Sequence, residues 1–246
     1  MQNLTVILVR TKFSENIGST ARVCANFGCP NLRLVQPLDF SLPRAAVLAT
    51  PKGKKILENI QIFSSLSEAL VDLTGAFATT ARIGGFRKGL LLPDQAGAQI
   101  AELLFQAAPV GLVFGSEDKG LTNEEIQICG QIITIPTTSE AWSLNLSHAV
   151  NILLYECFKQ KRAYTKTGDF FAKTPKLATV QEMELLFAHL KDALLKLDFL
   201  HADNNPDYFM MPVKRFFNRV KLRKHEYNLF MGICRQIRWL ARKNKK

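Results

Sequence analysis

Between residues 4 and 135 short apolar runs alternate with longer amphipathic stretches, and this rhythm restricts the fold more than any other feature of the chain. Strands covered by helices on both faces are apolar nearly throughout, whereas a half-solvated strand alternates. Runs at 4–10, 32–35, 61–63, 75–79, 110–114 and 131–135 read as strands of such a covered sheet, so an α/β fold with a mostly parallel sheet is predicted. Ser65 with Glu68 and Thr122 with Glu125 fit the capping box that opens helices. Pro136 closes the last strand, and a helix is predicted over 143–162. Leu144, Leu146, Val150, Ile152, Leu153, Leu154, Tyr155 and Phe158 make it apolar around most of its girth, which suits burial or a subunit interface.

Past residue 163 the pattern changes. Residues 164–176 are rich in Thr, Lys, Gly and Pro and lack periodicity, as a linker would. Helical signals alone follow: 179–197, a start at Pro206 after Asn205, and 224–243. The predicted organisation is therefore a domain over 1–163, a linker over 164–176 and an all-α extension over 177–246. In the last helix Tyr227, Leu229, Phe230, Ile233, Cys234, Ile237, Leu240 and Ala241 share one arc, about 160° wide at about 100° per residue, that should dock against the rest. Arg235, Arg238 and Arg242 form the neighbouring stripe.

Charge sharpens the division. The chain carries 32 Lys and Arg against 21 Asp and Glu, and its pI of about 9.6 points to a polyanionic partner, nucleic acid before anionic membrane. Twelve of the basic residues and one acid fall within 213–246, so the remainder is balanced. The Arg235, Arg238 and Arg242 stripe is accordingly either an RNA phosphate contact or a solvated basic face. No apolar run approaches the ~18 residues of a membrane span and the first ten residues lack signal-peptide features, so a cytoplasmic protein without membrane attachment is expected. Cys24, Cys29, Cys129, Cys157 and Cys234 form no C-x-x-C pair and have no nearby His to complete a zinc module. They read as buried, reduced thiols, and no metal is expected.

Several chemistries are excluded by absent motifs. The stretch GSEDKGL at 115–121 lacks the Lys-Ser/Thr of a phosphate loop, and there is no G-x-S-x-G, H-E-x-x-H or G-x-G-x-x-G after the first strand. Three segments, each just after a predicted strand where α/β sheets bind ligands, remain. Asn16 to Arg22 (NIGSTAR) enters a helix; its small residues permit close backbone approach by a partner or ligand, while Asn16 as a cap and Arg22 in a surface ion pair is the simpler alternative. Gly115 to Leu121 brackets charge between glycines, in an ordinary turn or in a loop whose Glu117 accepts from Arg22 or a ligand hydroxyl. Ser143 and Asn145 stand near a helix start, for capping or for a substrate hydrogen bond, and His148 a turn later is a packing residue or a base.

In this order the segments N-x-G-x-x-A-R at 16–22, F-G-x-E-x-x-G-L at 114–121 and S-L-N-L at 143–146 resemble the motifs of the TrmH-like SPOUT RNA 2′-O-methyltransferases. LVQP at 34–37, LTNEE at 121–125 and RFFNRVKL at 215–222 are similar to the branch that methylates cytidine and uridine riboses of tRNA, so the resemblance spans nearly the whole chain. It implies a SPOUT fold with a deep trefoil knot, S-adenosylmethionine as cofactor, a homodimer whose interface completes the site, and tRNA as partner. By position it implies Arg22 as the catalytic arginine oriented by Asn16, and Glu117 organising Arg22 and its loop. Ser143 and Asn145 would lie nearest the reaction centre. Thr79, Thr80, Ala81, Gly115, Ile135, Trp142, Ser143 and Leu144 would line the cofactor pocket, and Arg235, Arg238 and Arg242 would contact RNA. The implied reaction is 2′-O-methylation in the anticodon loop, at nucleotide 32. The same chemistry on another tRNA or rRNA position, or a catalytically silent RNA-binding protein, are the alternatives.

Overall fold

The computed structural model describes residues 1–82, 89–166 and 176–243, in two compact units, Met1–Ala172 and Lys173–Lys246. The first unit contains strands β1 (Leu4–Val9), β2 (Asn31–Val35), β3 (Gln61–Phe63), β4 (Gly75–Thr79), β5 (Leu90–Leu91), β6 (Val110–Phe114) and β7 (Gly130–Ile133). They form one sheet in the order β3-β2-β1-β6-β4-β7-β5, with every neighbouring pair parallel. The central β1 and β6 are buried along their whole length, which is why they are apolar without alternation. Two-residue β5 was not anticipated, being too short to carry a periodic signal.

Parallel register brings the functional segments to one edge. Leu8 pairs with Phe114, so the chain leaving β1 runs beside the chain leaving β6. Ala78 pairs with Val113 and Thr79 with Ile133, which adds the ends of β4 and β7 to the same edge.

The helices of this unit are α1 (Ser14–Phe27), α2 (Leu42–Leu48), α3 (Pro51–Glu58), α4 (Leu66–Leu70), α5 (Pro93–Phe105), α6 (Asn123–Cys129) and α7 (Leu146–Lys166). α1 buries Ile17, Gly18, Ala21 and Cys24 along one stripe. A Cβ on Gly18 would lie 1.9 Å from the Ala45 carbonyl oxygen, so the small residue of the first motif serves packing of α2 on α1 rather than approach of a ligand. Thr122 opens α6 with both halves of a capping box: its hydroxyl accepts from the Glu125 N–H and the Glu125 carboxylate accepts from its own. Ser65 caps α4 through the Glu68 N–H, but the Glu68 carboxylate accepts from Ser64 instead.

α7 begins at Leu146, three residues later than predicted, and ends at Lys166 rather than 162. Asn145 sets the start: its Oδ1 accepts from the Ser147 N–H at 2.9 Å and the Ser147 hydroxyl at 2.8 Å. Ser143 therefore lies in the preceding loop. α7 buries Leu146, Val150, Leu153, Leu154 and Cys157 against α1 and α5, but not its whole girth, since Tyr155 is half exposed and His148 is exposed. Of the two readings of His148, packing within the chain is therefore the one that the structure contradicts. Of the segment expected as a linker, 164–166 continue α7 and 167–175 lie outside the described residues.

The second unit comprises α8 (Val180–Lys196), a 3-10 turn (Ala202–Asn204), α9 (Pro206–Val220) and α10 (Lys224–Lys243). Thr179 and Glu182 form a complete capping box, and Asn205 caps α9 through the Tyr208 N–H. Met183, Leu186, Phe187, Phe217, Leu222, Tyr227 and Cys234 make its core, with Phe230 and Ile237 against it. Leu229, Ile233 and Leu240, expected in the docked arc, are exposed at 62%, 44% and 43%. The core takes only the Tyr227, Phe230, Cys234 and Ile237 side of α10, a narrower arc than the apolar one. All five cysteines are unpaired and buried. Among the described residues no helix is long and apolar enough to cross a membrane, and no group of His, Cys, Asp and Glu is placed to hold a metal ion.

Candidate active site

The loops leaving β1 and β6 are bound together by side chains. Glu117 is gripped from both sides, Oε2 accepting from the Lys12 N–H at 3.0 Å and Oε1 from Asn16 Nδ2 at 2.7 Å. Asn16 Oδ1 in turn accepts from Asn145 Nδ2 at 3.1 Å. One residue from each of the three motifs thus meets in a single chain of hydrogen bonds. Both polar ends of Asn145 are occupied, by the α7 cap and by Asn16, which makes it a positioning residue.

Charge pairs hold the same loops. Lys12 Nζ lies 2.6 Å from Asp118 Oδ2 and keeps that carboxyl below the usual carboxylate range. Arg10 pairs with Glu125 and reaches the Gly120 carbonyl. Burial acts to raise the Glu125 carboxyl, but Arg10 and the Thr122 N–H outweigh it, leaving Glu125 below its ordinary value. Gly115 completes the turn: a Cβ there would lie 2.1 Å from the Gly120 carbonyl carbon, so residue 115 has no room for a side chain.

Around this frame lie two adjoining clefts. The first, about 840 Å³ and more enclosed, is lined by Thr79, Thr80 and Ala81 at the end of β4, by 114–121, and by Ile133, Ile135, Trp142, Ser143 and Leu144. Phe114, Ile133 and Leu146 give it an apolar floor, while loop main chain supplies polar groups, a composition typical of small-molecule sites. The second, about 900 Å³ and more open, is lined by Phe13, Glu15, Asn16, Asn145 and the residues it shares with the first, Glu117, Ser143, Leu144 and Leu146. Ser143 stands at the junction, exposed and facing both.

All eight residues expected at the cofactor pocket line the first cleft. Arg22 does not join them. It is exposed on α1, lines neither cleft, and makes no hydrogen bond or ion pair among the described residues. Within one chain neither Asn16 nor Glu117 contacts it; six residues along a helix place Asn16 and Arg22 on different faces. Sequence reasoning missed Arg82, which lines the cleft and donates to the Lys119 carbonyl at 3.1 Å, and Lys12 and Phe13, because these lie between motifs. In the second unit Arg238 is drawn inward: Nε lies 2.9 Å from Asp192 Oδ2 and Nη1 2.7 Å from His189 Nδ1. Arg235 and Arg242 remain exposed.

The SpoU rRNA Methylase family profile matches residues 3–155, and that of the tRNA methyltransferase TrmJ C-terminal domain matches residues 181–246. The chain is 34% identical over 240 residues to the tRNA (cytidine/uridine-2′-O-)-methyltransferase TrmJ of Salmonella typhimurium, covering 96% of this chain and 97% of the relative. It is 34% identical over 250 residues to the tRNA (cytidine/uridine/adenosine-2′-O-)-methyltransferase TrmJ of Pseudomonas aeruginosa, covering 98% and 96%. The crystal structure of TrmJ from Z. mobilis matches with a TM-score of 0.78 at 29% identity, over 95% of this chain and 98% of that one.

Proposed function

The chain belongs to the SpoU rRNA methylase family and is a methyltransferase, and from that premise we propose that it methylates the 2′-hydroxyl of a tRNA ribose, a cytidine or uridine at nucleotide 32 of the anticodon loop, in the cytoplasm. The observation that carries this reading is the convergence of Asn16, Glu117 and Asn145 where the two clefts meet at Ser143. One cleft suits a cofactor and the other a ribose, with Ser143 between them.

The residues present fit S-adenosylmethionine. An apolar floor of Phe114, Ile133 and Leu146 suits an adenine ring, and Gly120, where a Cβ would meet open space, presents bare main chain to the cleft. Thr79, Thr80, Ala81, Gly115, Ile135, Trp142, Ser143 and Leu144 would hold it there, and when bound it supplies an electrophilic methyl group. The chain's own task is alignment and proton relief of a poorly nucleophilic hydroxyl. Ser143 Oγ orients that hydroxyl, and the Asn16, Glu117 and Asn145 network fixes the loop that carries Ser143. The knot implied by the resemblance is part of this reading.

Exposure of Arg22 outside both clefts supports a homodimer in which the partner subunit's Arg22 completes the site. A guanidinium is a permanent cation rather than a base, so it acts by binding the substrate phosphate and making the hydroxyl easier to deprotonate, the proton leaving through phosphate or water. The basic second unit, through Arg235 and Arg242, holds the RNA.

Labelled methyl transfer from S-adenosylmethionine to total tRNA, with mapping of the modified nucleotide, tests the reaction. Label on a pyrimidine at nucleotide 32 supports it; label elsewhere in tRNA or in rRNA replaces the substrate, and tRNA binding without transfer makes the protein a silent binder. Mixing Arg22→Ala with Asn145→Ala subunits tests the dimer. A site built from two subunits regains activity in mixed dimers, since one site then has both residues; a site within one subunit regains none.

A further inference from the structure

On α10 the exposed side chains combine an aromatic face with cations in a way the core does not require. Trp239 is 54% exposed and lies roughly 140° around the helix from the Tyr227 and Cys234 side that packs into the second unit. Arg235 lies one turn before it and Arg242 and Lys243 one turn after, all exposed. Residues at i, i+3 and i+4 are neighbours on a helix, so the indole is ringed by three cations. Lys243 Nζ sits 5.4 Å from its ring centroid. Arg235 and Arg242 make no hydrogen bond or ion pair among the described residues, in contrast to Arg238, which is spent on Asp192 and His189. Like charges this close repel, and among the described residues of the helix that repulsion is offset only by the Lys243 contact with the indole.

We propose that Trp239 is a stacking platform for an unpaired nucleobase, with Arg235 and Arg242 gripping the phosphates on either side. A flat aromatic face beside cations matches the two parts common to every nucleotide, a base with a π-face and an anionic phosphate. Arg235 and Arg242 are seven residues apart, about 10 Å along the axis at 1.5 Å per residue, which lets them straddle the indole. An unpaired base is required because bases within a duplex are already stacked on their neighbours. The site therefore reads a loop or an end of the RNA, and it rests on the proposal that the second unit holds tRNA.

The test is binding of full-length wild type, Trp239→Ala and Trp239→Phe to tRNA, to a duplex RNA of equal length and to anionic phospholipid vesicles. Trp239→Ala is expected to weaken tRNA binding by roughly tenfold, the loss of one base–aromatic stack, while Trp239→Phe recovers most of it and duplex binding is equal for all three. Unchanged thermal melting of the second unit separates this from unfolding. Equal tRNA affinity of wild type and Trp239→Ala overturns the platform alone, as does an equal loss on duplex, or a loss confined to vesicles. Failure of the wild type to bind tRNA overturns the RNA-binding reading beneath it as well.

Discussion

Asn16 donates through Nδ2 to Glu117 Oε1 at 2.7 Å across 101 residues of chain, and this bond joins the loop after β1 to the loop after β6. A carboxylate held by a side-chain amide and a main-chain N–H is a rigid anchor, and its loss should be felt by everything hung from it. Asn16→Ala and Glu117→Ala are expected to lower methyl transfer without abolishing cofactor binding. Their stability effects should couple by about 1 kcal/mol in a double-mutant cycle by urea unfolding. Strict additivity would mean that the pair is not a unit.

Asn145 separates two roles. Asn145→Ala removes the α7 cap and the bond to Asn16, and should cost about 1 kcal/mol of stability along with most of the transfer rate. Asn145→Asp keeps an oxygen for the Ser147 N–H but turns a donor toward Asn16 into an acceptor. It is expected to melt close to wild type yet transfer methyl slowly, so comparing melting temperature with single-turnover rate distinguishes capping from site geometry.

Two helical glycines should respond with opposite sign. Gly18→Ala drives a Cβ into the Ala45 carbonyl and should destabilise by about 2–3 kcal/mol. Gly232, inside α10, has open space where a Cβ would go, so Gly232→Ala should stabilise by about 0.5–1 kcal/mol through helix propensity alone. Chemical denaturation of the two variants reads both.

The Arg10 and Glu125 pair has a pH signature. Because Glu125 is held below its ordinary value, the pair's contribution is complete above the unfolded carboxyl pKa of about 4.3 and is lost as pH falls through the lower folded value. Glu125→Gln keeps an acceptor for the Thr122 cap and removes only the charge. It should lower the melting temperature at pH 7, with the gap to wild type closing below about pH 4; a gap constant down to strong acid would rule out this linkage.

The arginines of α10 divide. Arg235→Ala and Arg242→Ala are expected to weaken tRNA binding and flatten its salt dependence, each phosphate contact contributing about one unit of log–log slope. Arg238→Ala should instead lower stability of the second unit, by breaking its contacts to Asp192 and His189, with an unchanged salt slope.

Much of this was legible from local pattern. Apolar runs located six of the seven strands, most strongly β1 and β6, whose doubly covered position leaves them no solvent face, and Thr122, Thr179 and Asn205 marked helix starts through hydrogen bonds that span only three residues. The residues that the resemblance assigned to a cofactor pocket line one cleft because they lie at or beyond the ends of β4, β6 and β7, and parallel strands share one carboxyl edge. Local pattern overstated the docked arc of α10. Apolar character around a helix measures how much could be buried, while the neighbours decide how much is, hence the exposure of Leu229, Ile233 and Leu240.

The sequence by itself determined the α/β rhythm, the three motif segments and the concentration of positive charge in 213–246, all properties of neighbouring residues. Only the tertiary structure decided which motif residues meet. Asn16, Glu117 and Asn145 converge because β1 and β6 are paired in register, Leu8 against Phe114, and a hydrogen bond forms only within about 3 Å whatever the separation in sequence. The same condition leaves Arg22 outside both clefts and turns Arg238 toward α8, distinctions that no spacing along the chain encodes.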